Sequence, residues 1–135
     1  MYKNILVPIA LDHERSGKKA LSIAQVLADE GAKITALHVM EEIPSYVAQY
    51  LPEGQLEANT KELEARLKGE LAGNPGVEVQ VVEGHAGHTI VDFAAHNDVD
   101  CIVVASHRPG LQDYFLGSTA ARVVRHAPCA VHVSR

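Results

Sequence analysis

Apolar runs of about five to seven residues recur along this chain, and between them the apolar spacing changes from that of a strand to that of a helix. The runs are "NILVPIA", "KITALHV", "VEVQVVEG", "DCIVVAS" and "CAVHVS". Short β-rich runs alternating with longer segments of 3.6-residue periodicity leave few architectures open. Strands joined in this order pair in parallel through right-handed crossovers, and the sheet is covered by helices on both faces. The near-continuous apolarity of "CIVVA" suits a central strand buried on both sides. The expectation is five strands, four helices and one doubly wound α/β domain spanning residues 1–135.

The helical segments can be placed by their stripes. "HERSGKKALSIAQVLADEG" puts Ala20, Ile23, Ala24 and Leu27 on one face, with Gly31 as its stop signal. "QLEANTKELEARLKGELAG" aligns Leu56, Leu63, Leu67 and Leu71 and runs into "GNPG", whose Gly and Pro cannot continue a helix. "AGHTIVDFAAHND" presents Ile90, Phe93 and Ala94, and "GSTAARVVRHAP" presents Ala120, Val123 and Val124 before Pro128 ends it. The stretch Met40 to Gly54, with its two prolines and two tyrosines, reads as a long connection.

Charge and cysteine usage narrow the function classes. The net charge of −5 supplies no general basic field for phosphate backbones or anionic lipid. No apolar stretch approaches the ~20 residues of a bilayer span, and the first strand lacks a small-residue cleavage site. A cytoplasmic protein is the expectation. Cys101 and Cys129 lie inside apolar runs, which suits two buried thiols in a reducing compartment.

In an open parallel sheet, ligands gather beyond the carboxyl ends of the strands where the connection order reverses. The residues just after the strands are therefore the informative ones, and the segment after the fourth carries the strongest signature. It reads "ASHRPGLQDYFLGSTAARVVRHAPCAVHVSR". Gly117, Ser118 and Thr119 open the last helix, where unpaired N–H groups and the positive end of the helix dipole favour an anion. Plain N-capping by the same trio is the competing explanation. No Gly-Lys-Ser/Thr follows a glycine-rich run, and no dinucleotide fingerprint follows strand one.

This closing segment, with "KNILVPIALD" at the other end and "ALHVMEE" and "VVEGHAGHTIVDFAAHNDVDCIVVASH" between them, resembles the universal stress protein family over essentially the whole chain. The resemblance implies sheet order 3-2-1-4-5, a homodimer through the last strand with tetramers as a further option, and unknown protein partners. It implies ATP, with or without Mg²⁺, lying across the carboxyl ends of strands one and four. Nucleotide-binding members carry Gly, two residues, Gly, nine residues, Gly, then Ser or Thr.

Here the loop is one residue short and Ala105 and Arg108 stand where the two upstream glycines belong. Two roles are open to Arg108: its guanidinium reaches the triphosphate oxygens, or its bulk fills the pocket. The first is preferred, because "ASHRP" followed by "LGS" is similar to a nucleotide-binding subgroup and arginine suits bidentate phosphate contacts. Ser106 would assist at the phosphates, and His107 would either touch a phosphate or orient Ser106. Pro8, Ile9 and Val39 would flank the adenine. Ala10 takes the place of the usual acidic residue near the ribose, leaving Asp12 either to reach a ribose hydroxyl or to cap helix one.

Eight histidines raise the question of a metal, with His85, His88 and His107 as the nearest set. Zinc wants three or four converging ligands, whereas His38 and His132 lie in strands and His96 and His126 near helix ends. No acid is placed to orient a base for Ser106 or Ser118, and there is no nucleophile elbow. A slow ATPase would need a bound Mg²⁺ and a positioned water, with no carboxylate dedicated to either. The expectation is a regulatory stress-response module that binds ATP with little or no turnover. A slow phosphoryl-transfer enzyme and a nucleotide-free dimeric adaptor are the alternatives.

Overall fold

A computed structural model of the chain describes residues 1–10, 14–74, 76–105 and 117–135. The order of elements is β1 (Tyr2–Pro8), α1 (Glu14–Leu27), β2 (Ala28–Met40), α2 (Ser45–Ala48), α3 (Gln55–Glu70), β3 (Val77–Glu83), α4 (Ala86–His96), β4 (Cys101–Ala105), α5 (Ser118–His126) and β5 (Ala130–Ser134). The five strands form one sheet in the order β3-β2-β1-β4-β5, parallel at every junction. This is the doubly wound α/β arrangement that the alternation of runs predicts.

Two cores follow from the period of the strands. Successive side chains point to opposite faces, so in β4 Cys101 and Val103 enter one cluster with Ile5, Val7, Ala20, Leu21, Ala24 and Leu67. Ile102 and Val104 enter the other, with Leu6, Leu37, Ile90, Ala94, Ala120 and Val123. Helices α1 and α3 therefore cover one face, and α4 and α5 the other. β1 and β4, flanked by strands on both sides, hold the fully buried Ile5, Leu6, Val7, Cys101, Ile102 and Val103.

The beginning of the sheet is held by side chains as much as by the ladder. The Asp100 carboxylate accepts the Lys3 and Asn4 backbone N–H groups at 2.9 and 3.0 Å, while the Asp100 N–H donates to the Asn4 carbonyl at 3.0 Å. Asn4 in turn donates from Nδ2 to the Asn97 carbonyl at 2.7 Å. The turn from α4 into β4 is thereby fastened to the entrance of β1.

Four expectations are corrected. Helix α1 ends at Leu27 rather than running to Gly31. Gly31 instead sits at φ +78°, within the irregular stretch where the β1–β2 register jumps from Tyr2↔Ala28 to Asn4↔Lys33, and its freedom to take a left-handed backbone is used there. The connection from Met40 to Gly54 contains a fifth helical piece, α2. Val124 is 44% exposed rather than facing the core, because the short α5 buries only the narrow stripe of Ala120 and Val123. Cys129 is half-buried, not fully enclosed, since it leads into the edge strand β5.

Gly87 shows how closely α4 meets α5. A Cβ there would lie 2.5 Å from Cδ of Arg122 and 3.2 Å from its Cβ, so the arginine stem crosses the helix where no side chain stands.

Candidate functional site

The carboxyl ends of β1 and β2 are locked together by one residue. The Ile9 N–H donates to the Leu37 carbonyl at 2.8 Å, extending the β1–β2 pairing past Pro8↔Leu37. The Ile9 carbonyl accepts from His38 Nδ1 at 2.8 Å. A carbonyl can only accept, so Nδ1 carries the proton in this contact. Ile9 is buried, and its side chain lies 3.3 Å from where a Cβ on Gly17 would stand. Its side chain thus packs against α1 while its backbone is bound within the sheet.

Val39 stands on the other face, half-buried against the cluster under α4 and α5 and paired in register with Val82 of β3. Pro8 is half-buried at the end of β1. Pro8, Ile9 and Val39 therefore share one end of the sheet, with apolar surface on both sides of it. A small cleft opens beside Ile9 and Ala10, lined also by Gly17, Lys18, Leu67, Glu70 and Leu71. It lies on the α1 and α3 side, opposite the face that carries α5.

Helix α5 begins with Gly117 as N-cap at φ −59° and ψ 157°, and the Gly117 carbonyl accepts the Ala121 N–H at 2.9 Å. The N–H groups of Ser118, Thr119 and Ala120 precede that first intrahelical bond and have no carbonyl of their own helix to donate to. Ser118 and Thr119 are exposed, and the N-cap position belongs to Gly117, which has no side chain to cap with. Plain N-capping by the trio describes this helix start as far as Gly117 goes, while neither hydroxyl makes a side-chain capping bond. The positive end of the helix dipole and both hydroxyls are presented outward.

Asp12, Ser106, His107 and Arg108 lie outside the described residues. Three further histidines make local contacts. His96 donates from Nδ1 to the Asp92 carbonyl at 2.7 Å, one turn back in α4. His85 is the N-cap of α4, and its ring meets that of His88 edge-on with centroids 5.3 Å apart, while Arg122 of α5 donates to the His88 ring. Among the described residues no three His, Cys, Asp or Glu side chains converge as metal ligands would.

The thiols are poor nucleophiles. Burial pushes the Cys101 thiol up to about 11, with the neighbouring Cys129 and Asp100 adding to the effect. Burial, then Asp100, raises Cys129 as well. A reactive cysteine needs the opposite environment, electropositive and open to solvent.

The residue that sequence reasoning passed over is His38. Its position inside an apolar strand gives no sign of a contact, because the partner is a backbone carbonyl 29 residues earlier.

A parallel sheet of order 3-2-1-4-5 with helices on both faces defines the class of doubly wound α/β domains. The sequence profile of the universal stress protein family matches residues 1–135, and the chain belongs to that family. The universal stress protein A homolog 2 of Coxiella burnetii is 33% identical, over 96% of this chain and 92% of its own. The structure of the universal stress protein UspA from Lactobacillus plantarum superposes with a TM-score of 0.70 at 28% identity, covering 99% of this chain and 98% of that one.

Two further structures share the fold at lower identity. One is a universal stress protein in complex with cAMP, with TM-score 0.64 and 23% identity over 99% of this chain and 97% of that one. The other is the universal stress protein from Archaeoglobus fulgidus in complex with dAMP, with TM-score 0.63 and 21% identity over 99% and 98%. Among the described residues no helix is long and apolar enough to cross a membrane.

Proposed function

We propose that this chain is a cytoplasmic regulatory module that binds an adenine nucleotide, ATP foremost, and turns it over slowly or not at all. The observation that carries this reading is the start of α5: Gly117 caps the helix, and Ser118 and Thr119 are exposed beside N–H groups that precede the first intrahelical bond. Such a helix end takes phosphate without any dedicated lysine. Pro8, Ile9 and Val39 supply apolar surface for the base at the same end of the sheet, with Asp12 toward the ribose. Ser106 and Arg108 would assist at the phosphates, with His107 beside them in the sequence. Nucleotide complexes of two proteins with this fold, holding cAMP and dAMP, agree with an adenine ligand in kind.

The chain acts as a homodimer through β5, whose outer edge has no strand neighbour among the described residues and would be covered by the same strand of a second copy. Bound nucleotide then biases the contacts made with other proteins.

Arg108 distinguishes the phosphates from the base. Arg108→Ala is expected to weaken ATP about tenfold or more, as for a lost charge-assisted contact, and to leave adenosine binding within about twofold. Tighter ATP binding in the variant would show the guanidinium plugging the cleft, and equal losses for both ligands would show that it does not act on the phosphates. Multiple-turnover phosphate release abolished by Ser118→Ala would instead make the protein an enzyme.

A further inference from the structure

The segment between β2 and α3 has residues that nucleotide binding does not use. The Pro44 carbonyl accepts the N–H groups of Val47 and Ala48 at 2.9 Å, Tyr50 donates to Val47 at 3.0 Å and Leu51 to Ala48 at 3.1 Å. Residues 44–51 are thus wound into consecutive turns, with their backbone groups paired internally. The wound segment nevertheless hides little. α2 buries no residue, and Tyr46, Val47 and Tyr50 are 69%, 40% and 80% exposed. Tyr46 and Tyr50, four positions apart along helical turns, fall on one side. Large apolar side chains grouped outward on hydrogen-bonded backbone mark a contact surface rather than a packing element.

Charge identifies what fits there. From Met40 to Gly54 the chain carries Glu41, Glu42 and Glu53 and no lysine, arginine or histidine. These carboxylates are exposed and none is ion-paired among the described residues. Tyrosine faces attract cations, arginine most readily because its planar guanidinium stacks. Flanking carboxylates add a second, longer-range attraction for the same group. A second copy of this chain would set the three carboxylates against themselves, and nucleic acid or an anionic membrane would be repelled.

We propose that Tyr46, Val47 and Tyr50, flanked by Glu41, Glu42 and Glu53, form a docking surface for an extended arginine-bearing segment of a partner protein. Guanidinium groups stack on the two rings and pair with the carboxylates. The site adjoins the end of β2 but is independent of whether nucleotide binds.

The probe is an octapeptide of alternating arginine and serine, titrated into the whole protein labelled at its tyrosine ring carbons and followed by NMR. Lysine–serine and glutamate–serine octapeptides are compared with it. The rings of Tyr46 and Tyr50 should shift with the arginine peptide while Tyr2 does not. The lysine peptide should bind more weakly and the glutamate peptide not at all. Tyr46→Ala and Tyr50→Ala should each weaken the arginine peptide about two- to fivefold with an unchanged melting temperature, since both side chains stand in water. Glu41→Gln with Glu42→Gln should weaken it further and flatten its salt dependence. Equal binding of lysine and arginine peptides, undiminished binding by either tyrosine variant, self-association lost on Tyr50→Ala, or ATP alone shifting both rings would each overturn the proposal.

Discussion

The His38 ring donates from Nδ1 to the Ile9 carbonyl at 2.8 Å, fastening the last turn of backbone in β1 to the strand beside it. The Ile9 N–H is held by Leu37 at the same distance. Both backbone groups of Ile9 are thus committed within the sheet, so whatever binds at this end meets a fixed edge and the side chains around it. Preorganisation of this sort spares the ordering cost that a loose strand end would add to binding.

Removing that donor should be felt in the fold and at the ligand. His38→Leu leaves the partly buried Ile9 carbonyl without its partner, which costs about 1–3 kcal/mol, and a lowered midpoint in urea with an unchanged slope would register it. His38→Asn, which keeps an N–H donor on a shorter side chain, should recover part of the loss. Identical stability of the leucine variant and the parent would mean the bond contributes nothing net.

Asp100 makes a prediction at the opposite end of the same strand. Asp100→Ala removes the acceptor of two backbone N–H groups, those of Lys3 and Asn4, at an expected cost of about 1–3 kcal/mol because hydrogen bonds to a charged group exceed the ordinary kind. Amide hydrogen exchange at Lys3 and Asn4 should accelerate far more than at Ile5 to Val7 in the strand centre. Uniform acceleration along β1 would show a global rather than a local effect.

The buried thiol gives a pH dependence with a definite sign. Cys101 ionises at about 11 in the folded chain, above the ordinary thiol range that applies when it is unfolded. Between those values the unfolded state holds fewer protons, so stability falls as pH rises, by at most about 1.4 kcal/mol per pH unit from this group. Below the ordinary range its contribution is complete and flat. Cys101→Ser should lose less stability than the parent between pH 9 and 11. If both decline in parallel, tyrosines and lysines account for the alkaline slope and Cys101 does not.

Much of the architecture was legible because it follows from patterning. The β4 run "CIVVA" sends Cys101 and Val103 to one core and Ile102 and Val104 to the other, as continuous apolarity demands of a central parallel strand. The leucine stripe of α3 is borne out at Leu67 and Leu71, both buried. The misread features depend on long-range partners. Where α1 ends at Leu27 the Met1 amine binds the Leu27 carbonyl at 3.2 Å and Ala28 pairs with Tyr2; neither contact is visible in local spacing. Likewise His38 and Asp100 look like any strand histidine and any turn aspartate until the fold brings Ile9 and Asn4 beside them. Within the candidate site, the helix start at Gly117 was readable from residue type, since glycine followed by two hydroxyl residues before an apolar stripe is a helix opening in any context.

Isothermal calorimetry of ATP into the purified protein, repeated with Gly117→Val, tests the central claim most directly. The account predicts saturable binding of one nucleotide per chain, and at least a tenfold loss in the variant, whose side chain would occupy the space of the close approach at the head of α5. No heat of binding with ATP, ADP or AMP at millimolar concentration, or an undiminished affinity in Gly117→Val, would contradict it.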